Sequence, residues 1–134
     1  MQQIILKKIN KPKEKKINND IEWFCESFGF CSGRDIDKMS TQIINELINR
    51  YTKEYKISSE LIAKKLNAPS PRINHHVRNL IDSGFLYREK RFLHIRGGTM
   101  KSAVEEIRKD ANRIFDEIEK IAVEIDESVG LKNR

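Results

Sequence analysis

The chain has 134 residues, 38% of them hydrophobic and 34% charged, with a formal net charge of +6. This suffices for one modest core with appendages. It excludes a membrane-spanning chain, because no apolar run approaches the roughly 20 residues a helix needs to cross a bilayer. Ile4-Ile5-Leu6 ahead of lysines does not read as a signal peptide. Two cysteines without a disulfide-scaffold spacing predict a reducing, cytoplasmic location.

The charge is uneven along the chain. Residues 1–16 hold six lysines against Glu14 alone, and residues 58–98 hold eight basic side chains against three acidic ones. Residues 99–134 are acidic, with seven basic against nine acidic. A polyanionic partner is expected for the first two regions.

Residues 1–16 carry no pattern for a packed element and read as a basic, flexible N-terminal tail. Residues 17–98 read as one domain. Asn19 or Asp20 can cap a first helix in which Ile21, Phe24, Cys25 and Phe28 share a face, with Gly29 and Gly33 ending the pattern. Cys25 and Cys31 lie six apart, neither a same-face helical interval nor a zinc-knuckle spacing. Cys25 is expected in the core and Cys31 on the loop side. Asp35 can cap a second helix, where Ile36, Met39, Ile43, Leu47 and Ile48 keep the helical period. After a loop from Thr52 to Ile57, Ser58 can cap a short third helix ending near Leu66.

The stretch Ser70 to Gly84 is the most informative. Ser70 is a natural N-cap, Pro71 suits the first helical position and Gly84 suits the left-handed C′ position. Ile73, Val77, Leu80 and Ile81 form one apolar stripe. Pro71, Arg72, Asn74, His75 and Arg78 occupy the opposite face, a cationic and amide-bearing surface that suits a DNA major groove. With the preceding short helix and the turn Asn67-Ala-Pro-Ser70, the pattern is a helix-turn-helix. Beyond Gly84 the period drops to two. Phe85–Arg88 and Arg91–Arg96 flank Glu89-Lys90 and read as a β-hairpin wing tipped by Arg88, Lys90 and Arg91.

On these residues the chain resembles the ArsR-type winged helix-turn-helix regulators, and among them archaeal-type members with a long C-terminal helix. The likeness covers roughly residues 35–96. It rests on Leu61-Ile-Ala-Lys-Lys-Leu-Asn and on Pro69 through Leu86, where the family's Ser-His-His-Leu core is matched by Asn74-His-His-Val77. The resemblance implies that Ser70, Arg72, Asn74 and His75 face DNA and that His76 leans toward the domain. It departs at sensing. No cysteine follows Cys31 and no histidine follows His94, so neither a metal site nor any other cofactor is expected.

Residues 99–134 form the second feature. Thr99 can cap a long helix after Gly97-Gly98. Met100, Val104, Ile107, Ala111, Ile114, Ile118, Ile121 and Ile125 then keep a 4-3-4-3 spacing, a heptad seam over about four repeats. About 30 residues of helix run about 45 Å, more than a domain of this size covers alone. A C-terminal dimerisation helix is expected.

The expected fold is therefore mostly α with a small β-hairpin, a winged helix-turn-helix followed by a long helix. The expected function is sequence-specific binding of double-stranded DNA by a homodimeric transcription regulator. Arg72, Asn74, His75 and Arg78 would meet bases and nearby phosphates, Ser70 a phosphate, and Arg88, Lys90 and Arg91 the flanking backbone. Lys64 and Lys65 are weaker phosphate candidates. No phosphate-cradling glycine loop, metal-ligand pair or nucleophile motif points to an enzyme. A winged-helix module that binds protein or RNA is the alternative.

Overall fold

The computed structural model describes residues 1–31, 38–53 and 56–132. Within them the chain is mostly helical, with one two-stranded antiparallel hairpin and a long C-terminal helix. In order come α1 (Ile17–Ser27), α2 (Met39–Tyr51), α3 (Ser59–Lys65), α4 (Ser70–Asp82), β1 (Leu86–Glu89), β2 (Phe92–Ile95), a 3-10 turn (Arg96–Gly98) and α5 (Met100–Val129). None of the described helices is long and apolar enough to cross a membrane.

Two expected caps are displaced. Helix α1 begins before Asn19 and Asp20, at Ile17, because the Asp20 N–H already donates to the Lys16 carbonyl at 3.0 Å. Asp20 instead lies in the first turn, where its charge suits the positive end of the helix dipole. Helix α4 is capped by Pro69 rather than Ser70: the Pro69 carbonyl accepts from the N–H groups of Arg72 at 3.1 Å and Ile73 at 3.2 Å. Ser70 is thus the first helical residue and makes no side-chain capping bond. The proposed α2 cap, Asp35, and its neighbour Ile36 lie outside the described residues.

Other boundaries follow the local chemistry. Ser58 Oγ accepts from the Leu61 N–H at 3.1 Å and opens α3, and Thr99 Oγ1 accepts from Ser102 N–H at 3.0 Å and opens α5. Replacing Ser58 with alanine should lower stability by about 1 kcal/mol. The check is a reduced urea midpoint with an unchanged m-value; an unmoved midpoint would remove the cap from the account. At the end of α4, Phe85 N–H donates to the Leu80 carbonyl and Gly84 N–H to that of Ile81, with Gly84 at φ +92°. This double closure turns the chain sharply from helix to hairpin.

The core lies where α1, α2 and α4 meet and under the hairpin. Ile43, Ile44, Leu47, Ile73, Val77, Leu80 and Phe85 are completely buried. Phe24, Phe28, Phe30 and Phe85 form an aromatic cluster that joins α1 to the base of the hairpin. In the hairpin, Leu86 pairs with Ile95 and Glu89 with Phe92, so the turn is Lys90-Arg91, one residue later than expected. Burying Leu86, Leu93 and Ile95 together sets that register, and Lys90 takes the left-handed backbone, φ +61°, that it requires. On its other side, β2 is held by Leu93 N–H donating to the Ile57 carbonyl and Ile95 N–H donating to Tyr51 Oη, both at 2.7 Å.

Residues 2–9, expected in a free tail, lie against the domain. Gln3 N–H donates to the Asp82 carbonyl, Lys7 N–H to that of Ser27, and Trp23 Nε1 to that of Ile9. Ile5 sits directly over Gly29, where a Cβ would come within 2.8 Å of it. The sparse apolar residues Ile4, Ile5 and Ile9 carry no period because an extended arm follows the surface beneath it rather than a helix or sheet repeat.

Helix α5 divides in two. Ala103, Ile107 and Asp110 are buried against the domain, whereas every residue from 112 to 132 is exposed. The expected eight-residue seam is corrected accordingly. Ile107 is 2% exposed inside its own chain and Met100 packs against the core, because the first turns of α5 close over the domain before the helix leaves it. Ile114, Ile118, Ile121 and Ile125 remain exposed, with Phe115 and Val129 beside them.

Candidate nucleic-acid interface

Helix α4 is held by complete burial of Ile73, Val77 and Leu80. That burial dictates what the other face presents. Ser70, Pro71, His75, Arg78 and Asn79 are exposed, and Arg72 and Asn74 are half-buried at its borders. Apart from Pro71 this face carries polar or charged side chains. His76 turns the other way: its Nδ1 lies 3.4 Å from Ser40 Oγ on α2, and its ring meets that of His75 edge-on at 5.4 Å between centroids.

The expected contacts fall into two groups. A cavity of about 310 Å³ brings Ser70, Asn74 and Arg78 of α4 together with Arg88 and Arg91 of the hairpin, and with Ser58, Ser59 and Glu60 at the start of α3. Three guanidinium groups there outnumber the single Glu60 carboxylate. Ser59 Oγ is buried without a hydrogen bond among the described residues. His75 instead borders a second cavity of about 230 Å³, formed with Asn79, Asp82 and the arm residues Gln3 and Ile5. Lys90 stands at the hairpin tip, exposed beside Arg91. Lys64 and Lys65 are exposed at the end of α3.

The contribution of Ser58 and Ser59 to the first cavity goes beyond what sequence reading assigned. Capping explains Ser58, but nothing in the local pattern places the start of α3 beside the hairpin; folding α3 against α4 does. Asn79 likewise shares the exposed face. Its i, i+4 relation to His75 was a legible signal.

One basic residue counted near this surface has a different role. Arg96 donates through Nη1 and Nη2 to the two carboxylate oxygens of Asp110, the latter at 3.0 Å, and lies 3.7 Å from Glu106. Gln2 Nε2 donates to Asp110 Oδ2 at 2.7 Å, and Arg113 donates to Oδ1. The hydrogen bond to Arg96 is the main influence holding the Asp110 carboxyl down at about 2, with Gln2 assisting and burial opposing. The same bond pushes the Arg96 guanidinium above its ordinary value against the cost of burial. This knot joins the arm, the end of the hairpin and α5, so it is structural.

Among the described residues no three histidine, cysteine, aspartate or glutamate side chains are grouped closely enough to hold a metal ion. Compared with known proteins, the chain matches no family model, no curated protein and no solved structure.

Proposed function

We propose that the chain is a sequence-specific, double-stranded DNA-binding transcription regulator of winged helix-turn-helix type that acts as a homodimer. In this reading α3 and α4 are the helix-turn-helix and β1-β2 is the wing. The carrying observation is the cavity where Ser70, Asn74 and Arg78 of α4 face Arg88 and Arg91 of the hairpin. A helix anchored by one apolar face and presenting amide, imidazole and guanidinium groups on the other fits a major groove. Arg72, Asn74, His75 and Arg78 are the base-edge and nearby-phosphate contacts, Ser70 a phosphate contact, and Arg88, Lys90 and Arg91 grip the flanking backbone. A protein-binding module would favour apolar side chains on that face; here only Pro71 is apolar. The exposed isoleucine stripe of α5 supports pairing of two chains.

Site selection from random duplexes, followed by titration of the selected site against unselected DNA across a salt series, tests the proposal. Lys90→Ala with Arg91→Ala should weaken all duplexes alike and flatten the slope of log K against log[salt] by about two contacts. Arg72→Ala or Asn74→Ala should instead relax preference at particular base pairs, by about 1–3 kcal/mol each. Failure to enrich any site, equal losses on selected and unselected DNA for Asn74→Ala and Arg72→Ala, or tighter binding to RNA than to duplex DNA would reject this reading.

A further inference from the structure

The exposed seam of α5 has the same spacing in both directions. Ile114, Ile118, Ile121 and Ile125 follow a 4-3-4 interval, and each is 36–58% exposed. A two-fold axis across the helix, between residues 119 and 120, sets Ile114 against the partner's Ile125 and Ile118 against the partner's Ile121. A two-fold axis along the helix instead sets each isoleucine against its own copy. Both orientations cover the seam, so its flanks decide between them.

One flank is apolar and the other acidic. Phe115 follows Ile114 and Ala122 follows Ile121, with Val129 one heptad further. On the other side Glu117 precedes Ile118 and Glu124 precedes Ile125. In a parallel pair the apolar flank of each helix meets the acidic flank of the other. In an antiparallel pair apolar meets apolar and acidic meets acidic. That brings Glu117 near the partner's Glu124, an exposed like-charge pair that costs little in water. Setting Phe115, 63% exposed, beside a carboxylate forfeits more, because its ring then stays wet or the charge is desolvated.

The N-terminal arm lies along the apolar flank. A groove of about 460 Å³ runs between Ile4 and Leu6 of the arm and Ile114, Phe115 and Ile118 of α5. The arm wall is held by Gln3 N–H donating to the Asp82 carbonyl and by Gln2 on Asp110. An antiparallel partner brings the far end of its seam, around Ile121 and Ile125, to this groove. Charge agrees with that placement. Residues 116–127 carry six carboxylates against Lys120 alone, whereas Lys7 and Lys8 stand exposed directly after Leu6. A parallel partner would carry its acidic end away from both arms.

We propose that two chains pair through antiparallel outer halves of α5, each N-terminal arm forming one wall of the groove that receives the partner's far end. This rests on the homodimer part of the proposed function and adds to it an orientation and a second contacting segment. Ile4 and Leu6 extend an apolar face broader than the isoleucine seam, and Lys7 and Lys8 meet carboxylates of the partner's α5.

Cysteine pairing in the full chain tests the orientation without DNA. Residues 114 and 125 are about 16 Å apart along one helix, too far for a link within a chain. Under mild oxidation, Ile114→Cys with Ile125→Cys should give a two-chain product. Trypsin cuts between these positions after Lys120, so a peptide holding position 114 should be found joined to one holding position 125. Neither single variant should link to its own copy. Leu6→Asp, at a position 66% exposed, should leave the domain folded and weaken the dimer by about tenfold or more. Lys7→Glu with Lys8→Glu should weaken it by about tenfold at low salt and less at high salt. Self-linking of either single variant, or no 114–125 link in a chain that sediments as a dimer, would overturn the antiparallel pairing. Parent-like dimers from both arm variants would overturn the part given to the arm. A single-chain mass for the parent would remove the homodimer reading and this pairing together.

Discussion

Ile118→Asp in the full chain is expected to leave the domain folded and to convert the proposed dimer to a monomer. Ile118 is 58% exposed, so its own chain loses little packing when it is replaced. In a paired seam the same position is desolvated, and an unpaired buried carboxylate is costly. Sedimentation should report a single-chain mass, while the thermal midpoint at low concentration stays close to that of the dissociated parent. Pairing two reading helices about a two-fold axis predicts a preference for inverted half-sites about 34 Å apart. Losing that linkage should lower full-site affinity by about 10²-fold or more. Ile107→Asp is the contrast: at 2% exposure it should unfold the domain, because this part of α5 belongs to the core. A dimeric Ile118→Asp protein, or one that binds a full site as tightly as the parent, would remove the projecting half of α5 from the interface.

Asp110→Ala should be the most damaging substitution of a charged side chain. It removes the two-oxygen partner of Arg96, leaving the guanidinium only Glu106 at 3.7 Å and the Gly84 carbonyl at 3.4 Å, and it leaves Gln2 without its carboxylate partner. Asp110 is 4% exposed, but the Arg96 side chain is 28% exposed, so water recovers part of the loss. A decrease of about 2–3 kcal/mol is expected, or on the order of 10 °C in the thermal midpoint. The pH dependence has a definite sign. The Asp110 carboxyl titrates at about 2 in the folded chain against 3.8 ordinarily. A carboxylate held down by folding stabilises above the unfolded value, and that stabilisation disappears as pH falls through the folded one. Stability should therefore drop between about pH 4 and pH 2 by about 2 kcal/mol more in the parent than in Asp110→Asn. Parallel urea midpoints for the two proteins over that range would show that the carboxylate is not ionised within the knot.

Periodicity made the helices and hairpin legible. The stripe at Ile73, Val77 and Leu80 is completely buried, so the polar identity of the opposite face could be read without coordinates. Ser58 and Thr99 act as caps because capping is a matter of three or four neighbouring residues, and Gly84 turns the chain for the same local reason. The caps of α1 and α4 were misplaced where a backbone carbonyl one to four residues earlier already closed the first turn, a competition that residue type does not reveal.

The remaining features depend on contacts distant in sequence. Gln2 and Asp110 are 108 residues apart, and a lone aspartate on a charged helix gives no sign that it will be buried with an arginine. The unpatterned arm found its place only because Gly29 and Gly84 leave room for side chains from the N-terminal segment. The heptad spacing runs unbroken from Met100 to Ile125, yet its beginning is covered by its own domain and its remainder projects outward. Sequence by itself determined which faces are apolar, where α3 and α5 begin and α4 gives way to the hairpin, and which side of α4 carries the cations, because these depend on spacing along one element. Tertiary structure decided which apolar positions are covered within the chain and which charges pair. Those outcomes depend on where separate elements meet, and no local period encodes that distance.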